Sequence, residues 1–200
     1  QLANPDNNIV FAIGPAGTGK TLLCTQMGIK AFMEREVKKI VITRPAVSVD
    51  EQHGFLPGDL NEKMSPWTRP IFDIFEKHFS MQQIEMMLEE NLIEIAPLAY
   101  MRGRTFENSW IIADEMQNAT KSQMKMLLTR IGVNTKMIVT GDLKQHDRGF
   151  SENGLSDFVE LVRNYENAKL KHISISRFEL MDVERHPAVT EVLKIYGEDD

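Results

Sequence analysis

Short apolar runs alternate with longer segments in which apolar residues recur at helical spacing, and this pattern continues along the whole chain. The strand-sized runs lie at 9–13, 39–43, 92–96, 110–113, 137–140 and 170–175. The first two are apolar enough to be covered on both faces, and the residues between them, 21–36, have the spacing of a crossover helix. The pattern therefore predicts an α/β fold with a mostly parallel sheet between helices.

Two later helices have recognisable starting signals. Ser80 with Gln83, and Thr120 with Gln123, fit the capping box, in which a hydroxyl and a long polar side chain satisfy each other's free amides. Gly132 is placed to follow the end of the second of these helices as a C′ residue.

The segment 44–65 contains two glycines and two prolines and shows no regular period. It predicts a long loop, which is either a partner-binding insertion or an ordinary surface loop. Helical spacing resumes at 65–79, where the apolar residues are expected to face the core. These residues are Trp67, Ile71, Ile74 and Phe75.

Composition adds limits to this picture. The chain has 200 residues, of which 42% are hydrophobic and 26% charged, as expected for one globular domain spanning 1–200. Its apolar runs fall well short of the roughly 18 residues of a membrane span. A single cysteine, Cys24, and no secretory signal at the start predict a cytoplasmic protein. The net charge of -6 means that any nucleic-acid contact must be a local patch.

The strongest chemical signal lies between the first predicted strand and helix. Residues 14–21 fit the pattern G-x-x-x-x-G-K-[ST], whose backbone amides cradle phosphate groups at the start of a helix. Lys20 is expected to reach the β- and γ-phosphates, and the Thr21 hydroxyl to bind Mg²⁺. The residues expected to surround the nucleotide are Gly14, Pro15, Ala16, Gly17, Thr18, Gly19, Lys20, Thr21 and Leu22.

A second cluster follows the run at 110–113. Asp114 is expected to hold the Mg²⁺, directly or through water, and Glu115 to polarise an attacking water as a general base. A kinase transfers the phosphoryl group to an acceptor and needs no such glutamate, so the pair favours hydrolysis. The alternative is that the two carboxylates cap the next helix.

A third cluster, at 141–145, follows the run at 137–140. Gln145 is placed to contact the terminal phosphate or its attacking water, and Asp142 to orient the loop. Gly141 and Asp142 are also typical of a simple turn.

In this order the motifs resemble the ATPase core of superfamily 1 helicases. A narrower resemblance, to the PhoH-like family, rests on the segments 14–21, 43–45, 54–59, 99–106, 114–120, 123–130, 141–145 and 182–186. It implies a RecA-like P-loop ATPase that uses ATP and Mg²⁺ and acts on RNA. Since the chain has one phosphate loop, strand separation by a monomer is not expected.

The negative charge that develops on the transferred phosphoryl group needs a cation beyond Lys20 and Mg²⁺. With one phosphate loop in the chain, an arginine finger from another subunit can supply it. Arg177 and Arg185 are the candidates, with Arg185 favoured by the family motif at 182–186. We therefore expect a homo-oligomer, a ring or filament, completed in trans. Alternatively, Arg185 lies at the start of a helix and has no role in the reaction.

Three arginines are candidates for RNA contact. Arg44 follows the second strand, where related helicases contact a single strand. Arg102 and Arg104 lie beside Tyr100 and Phe106, and arginines with aromatic rings suit single-stranded RNA. The same residues also suit an ordinary loop.

Together these features predict a Mg²⁺-dependent ATPase coupled to RNA. The alternatives are an ATP-driven assembly switch without RNA, a nucleotide or small-molecule kinase, and a non-catalytic interaction module.

Overall fold

The computed structural model describes residues 1–45, 60–144, 153–165, 170–183 and 187–196. In these residues six strands form one sheet, and every pairing between them is parallel. The strands are β1 (Ile9–Ile13), β2 (Lys39–Thr43), β3 (Ile93–Ile95), β4 (Ser109–Ala113), β5 (Lys136–Gly141) and β6 (Ile173–Arg177). The prediction of a mostly parallel α/β sheet is therefore confirmed.

Six described α-helices accompany the sheet. They are α1 (Lys20–Met33), α2 (Leu60–Phe75), α3 (Met81–Glu89), α4 (Lys121–Leu128), α5 (Gly154–Asn164) and α6 (Pro187–Tyr196). Short 3₁₀ turns follow three of the strands, at Leu98–Met101, Met116–Asn118 and Leu180–Asp182.

The strand order brings the predicted motifs to one edge of the sheet. The order is β3-β2-β4-β5-β1-β6, so β5 lies between β1 and β4. Ile13 at the end of β1 is in register with Gly141 at the end of β5, and Val139 of β5 is in register with Ala113 at the end of β4. Because all the strands run in the same direction, the loops that follow β1, β4 and β5 leave the sheet side by side.

Both faces of the sheet are buried, which explains the continuous apolar runs in the sequence. In β1, Phe11 packs into one hydrophobic cluster and Ala12 into the other. Phe11 also stacks on Phe158 of α5, with ring centroids 5.1 Å apart. Helices on the two faces thus cover the alternating side chains of the same strand.

Helix α1 packs closely against β4. Its N-terminal half passes Trp110, whose indole Nε1 donates a hydrogen bond to the carbonyl of Cys24 at 3.1 Å. A β-carbon on Gly28 would lie 2.6 Å from Trp110 Cδ1, so the absence of a side chain there allows the close approach. This contact fixes the helix that begins at the phosphate loop.

The two predicted capping boxes are confirmed. Ser80 and Gln83 cap α3, and Thr120 and Gln123 cap α4, with both reciprocal bonds present in each case. The prediction for Gly132 is wrong, because α4 ends at Leu128. Instead the Gly132 amide donates a hydrogen bond to the Phe106 carbonyl at 2.8 Å. The segments that precede β4 and β5 pass close to each other at this point.

The predicted loop at 44–65 is too long at its C-terminal end, because α2 already begins at Leu60. The apolar face expected in this helix is confirmed: Ile71, Ile74 and Phe75 are buried, and Trp67 is partly buried. Residues 46–59 lie outside the described part of the chain, and so the choice between an insertion and a surface loop stays open.

A search of the described helices finds none that combines the length and the apolar character needed to cross a bilayer.

Candidate active site

The loop between β1 and α1 has the backbone that its glycines allow. Gly17 and Gly19 have φ angles of +81° and +74°, in the left-handed region that favours glycine. Gly14, with φ +154°, lies against the backbone of Phe178, where a β-carbon would come within 2.5 Å of the carbonyl oxygen. The chain thus turns back over the end of β1 before α1 begins at Lys20.

Lys20 points back into this loop. Its ammonium donates to the Pro15 carbonyl at 2.5 Å and to Thr18 Oγ1 at 3.2 Å. Burial lowers the pKa of Lys20, and the attraction of three carboxylates, Asp142, Glu115 and Asp114, opposes that shift. One partly desolvated cation therefore lies in a loop of backbone dipoles and close to acidic groups.

Asp114 follows β4 and contacts the first turn of α1 at the carboxyl end of the sheet. Thr21 Oγ1 donates a hydrogen bond to Asp114 Oδ1 at 3.0 Å, and Thr140 of β5 donates to the same oxygen. The Asp114 amide donates to the Thr43 carbonyl of β2 at 2.9 Å, which fixes the backbone. The two residues predicted to share a metal ion are therefore neighbours, although they are 93 positions apart in the sequence.

Thr140 was missed by the sequence interpretation. It lies at the C-terminal end of a buried strand and looks like an ordinary β-branched strand residue, so the only available signal was its place beside the Gly141 motif. Its side chain is 1% exposed, and its hydroxyl holds Asp114 in place.

Glu115 comes directly after Asp114 and has a left-handed backbone, with φ 53° and ψ 38°. Non-glycine residues rarely adopt this conformation. The alternative of carboxylates capping the next helix does not match the described contacts, because α4 is capped by Thr120.

These groups line one cleft of about 250 Å³ at the carboxyl ends of β1, β4 and β5. Its lining comprises Ala16, Gly17, Gly19, Lys20, Thr21, Leu22, Asp114, Glu115, Thr140, Gly141 and Asp142. A larger cavity of about 580 Å³ lies at the opposite edge, beside Trp110 and Lys136 at the starts of β4 and β5. Ligands of open α/β sheets bind at the carboxyl ends of the strands, so the smaller cleft is the candidate site.

Asp142 begins the loop after β5, and its carboxylate accepts a hydrogen bond from the Lys144 amide at 2.9 Å. This agrees with the expectation that Asp142 orients the loop. Gln145 lies outside the described residues, and its predicted contact with a terminal phosphate stays a prediction.

Of the two candidate arginine fingers, only Arg177 is described. It ends β6, in register with Ile13, and is therefore adjacent to the start of the phosphate loop, with an exposed side chain. Arg185 lies outside the described residues.

The three arginines considered for RNA contact differ in their surroundings. The Arg44 guanidinium lies 5.8 Å from the centre of the Trp67 ring. Arg102 is exposed. Arg104 is engaged within the domain, because its Nη1 lies 2.5 Å from Glu94 Oε1 and its guanidinium lies 4.4 Å from the centre of the Phe106 ring.

Glu94 joins this ion pair to a second cation. Lys39 Nζ lies 2.8 Å from Glu94 Oε2, so the carboxylate has a basic partner on each oxygen. Burial by itself would raise the pKa of Glu94, but hydrogen bonds from Arg104 and Lys39 lower it below its usual range. The group ties β2 and β3 to the segment before β4.

Sheet order, the loop between β1 and α1, and acidic residues after β4 together define an α/β fold of the P-loop NTPase class, consistent with a RecA-like domain. The family model described as PhoH-like protein matches residues 1–197. The chain therefore belongs to the PhoH-like protein family, as the sequence motifs predicted.

Three curated relatives illustrate the match. The PhoH-like protein of Bacillus subtilis is 45% identical over 192 residues, covering 95% of this chain and 58% of that protein. The PhoH-like protein of Mycobacterium tuberculosis strain H37Rv is 43% identical, covering 96% of this chain and 53% of that protein. Protein PhoH of Escherichia coli K12 is 41% identical, covering 94% and 53%. The chain thus spans little more than half the length of these relatives.

Proposed function

We propose that this domain binds ATP with Mg²⁺ and hydrolyses it, and that hydrolysis is coupled to RNA. The observation that carries the proposal is the convergence of Lys20, Thr21, Asp114 and Glu115 on one cleft at the carboxyl edge of the sheet. The segments after β1 and β4 supply these four groups, and each group has a separate part to play in phosphoryl transfer.

The phosphate loop supplies the binding energy for a triphosphate. A partly buried ammonium with a lowered pKa gains more from an anion than a fully hydrated one does, because it has already lost much of its water. Lys20 is held by two oxygens of its own loop, at Pro15 and Thr18, and exchanges these partners for phosphate oxygens. Base selection for ATP is proposed from family membership alone.

The pair Thr21 and Asp114 fits a magnesium ion. A hydroxyl oxygen and a carboxylate oxygen 3.0 Å apart are hard ligands, as Mg²⁺ requires, and water and phosphate oxygens commonly complete its six positions. The ion would neutralise negative charge that accumulates on the phosphates. Thr140 keeps the carboxylate directed toward Thr21.

Glu115 is the proposed general base. It lines the cleft next to Asp114, so a water held between its carboxylate and the terminal phosphate can lose a proton to it as the water attacks. A kinase would place an acceptor hydroxyl there instead. The glutamate therefore favours hydrolysis as the reaction.

RNA contact is proposed for Arg44 and Arg102. Arg44 and Trp67 form an arginine and aromatic pair at the end of β2, and Tyr100, 65% exposed, lies near Arg102 in sequence. Aromatic faces stack on bases and arginines neutralise phosphates. Arg104, proposed with them from the sequence, has its charge engaged by Glu94, which makes it a weaker candidate.

The oligomer with an arginine finger in trans also remains a proposal. Arg177 is exposed at the end of an edge strand, so a neighbouring subunit at this edge would meet it beside the phosphate loop. Turnover per subunit that rises with protein concentration is expected. A rate that stays flat and fast in a monomer contradicts this part.

The decisive experiment measures phosphate release and nucleotide affinity in the wild type and in Lys20→Ala, each with and without Mg²⁺. Lys20→Ala should lose nucleotide binding, whereas Lys30→Ala, an exposed change on the same helix, should behave as the wild type does. A Lys20→Ala protein that binds and hydrolyses ATP normally would refute the proposed site.

A second arm adds single-stranded RNA and compares Arg102→Ala with Arg163→Ala, an exposed arginine on α5. Loss of one phosphate contact should reduce the salt dependence of RNA affinity by a slope of about 0.7. Hydrolysis that does not respond to RNA favours the assembly switch. A labelled phosphate found on an acceptor favours a kinase.

A further inference from the structure

The Gln117 side chain joins two motifs that the sequence analysis treated as separate. It lies in the 3₁₀ turn Met116–Asn118 after β4 and is 4% exposed. Its amide Nε2 donates a hydrogen bond to Glu115 Oε2, and its Oε1 accepts one from the Asp142 amide at 3.2 Å. Gln117 therefore bridges the carboxylate proposed as general base and the first residue of the loop after β5.

The two partners fix the orientation of the amide. A backbone N–H can only donate, so the atom facing Asp142 must be the oxygen of Gln117. The nitrogen then faces Glu115, whose ionised carboxylate can only accept. The reverse orientation would place donor against donor and acceptor against acceptor.

Packing leaves this bridge little room to move. A β-carbon on Gly141 would lie 2.7 Å from Gln117 Oε1, 3.1 Å from its backbone nitrogen and 2.6 Å from Leu155 Cδ2. The end of β5 thus lies directly against the glutamine, so the amide has no room for another orientation without a shift of Gly141 or Leu155.

Glu115 has a left-handed backbone, which is an unfavourable conformation that surrounding contacts must stabilise. Within the described part of the chain, the hydrogen bond from Gln117 holds its carboxylate. With Oε2 bonded to Gln117, the carboxylate is held in one orientation, from which Oε1 can accept a proton from a water in the cleft.

We propose that Gln117 is a positioning residue that fixes the orientation of the Glu115 carboxylate and couples it to the backbone of Asp142 at the end of β5. The inference rests on the proposed ATPase function, because it assigns Glu115 a role in that reaction.

Two substitutions separate the two bonds. Gln117→Glu keeps an acceptor for the Asp142 amide but replaces the donor to Glu115 with an oxygen. Gln117→Met has similar length and removes both bonds. A misplaced catalytic group costs on the order of 10²-fold, so kcat should fall about 10- to 100-fold in both variants, while KM and nucleotide affinity stay within about twofold.

Gly141→Ala tests the same bridge without changing the glutamine. The added β-carbon overlaps the Gln117 amide, so kcat should fall in the same sense. Gln82→Glu, the same chemical change at an exposed position of α3, is the matched control and should leave kcat unchanged. If one Gln117 variant does not fold, Gly141→Ala and the other variant still decide the question.

A double-mutant cycle separates positioning from a general structural effect. In the Glu115→Gln background, Gln117→Glu should cause no further loss of kcat, because the group through which it acts is already absent. If the wild type hydrolyses ATP, two results would overturn this inference and leave the proposed function standing. One is an additive loss of kcat in the double variant, and the other is a wild-type kcat in Gln117→Glu. A wild type without hydrolysis would overturn the proposed function and this inference with it.

Discussion

Replacing Glu115 with glutamine changes one oxygen of the cleft to nitrogen and little else. The Gln117 amide that donates to Glu115 Oε2 can donate equally to the carbonyl oxygen of the new amide. Lys20 does not lose a hydrogen bond, because its ammonium donates to Pro15 and Thr18. We therefore expect a free energy of unfolding within about 1 kcal/mol of the wild type, as for substitutions that leave no buried group unpaired.

The expected loss is in the chemical step. A positioned general base contributes about 10²- to 10⁴-fold, which corresponds to roughly 2.7–5.4 kcal/mol of activation free energy. The proposed triphosphate contacts come from the loop at 14–21 and are unchanged by this substitution, so nucleotide affinity should stay within about threefold of the wild type. Glu115→Gln should thus bind ATP and retain it.

The assay is single-turnover phosphate release with protein in excess over ATP, together with equilibrium binding of a fluorescent ATP analogue. Glu160→Gln, the same change at an exposed site on α5, is the control. Phosphate release by Glu115→Gln within about threefold of the wild type would refute the assignment of the base. Loss of binding and release together would place Glu115 in nucleotide binding instead.

Two further predictions concern stability. Glu94 has a lowered pKa from its bonds to Arg104 and Lys39, so it binds fewer protons when folded than when unfolded. The stabilising contribution of Glu94 is therefore present above the usual pKa of 4.5 and is lost as the pH falls through the folded pKa. Glu94→Gln should flatten this acid dependence of the free energy of unfolding in denaturant titrations. An unchanged pH profile would contradict the prediction. Trp110→Phe removes the buried bond to the Cys24 carbonyl and leaves a void, so urea unfolding should show a loss of about 1–3 kcal/mol. An unchanged midpoint in urea would show that this helix contact is unimportant.

The elements that the sequence predicts correctly are those controlled by local interactions. Strand-sized apolar runs, the capping box of Thr120 with Gln123 and the glycines of the phosphate loop each depend on residues within a few positions of one another. Hydrophobic period and backbone permissiveness act over that range, so the pattern was enough.

Local sequence is a poorer guide where a residue's main contact lies in another element. Gly132 is the residue type expected just after a helix end. In the structure, its lack of a side chain instead allows the backbone to pass close to Phe106, 26 positions away. Arg104 lies between aromatic residues in the sequence, a pattern typical of RNA contact, and its role in RNA binding stays a prediction; in the structure Glu94 of β3 engages its charge. In both cases the contact seen in the structure comes from a residue that lies in another element.

What the chain determined by itself was the class of fold, the phosphate loop and the carboxylates after β4, because these depend on period and on adjacent residue types. The tertiary structure decided which groups meet. The sheet order places β5 between β1 and β4, and this alone brings Thr140 to Asp114 and the Asp142 amide to Gln117. Hydrogen bonds act over about 3 Å in space, whatever the separation in sequence, so only the folded sheet could specify them.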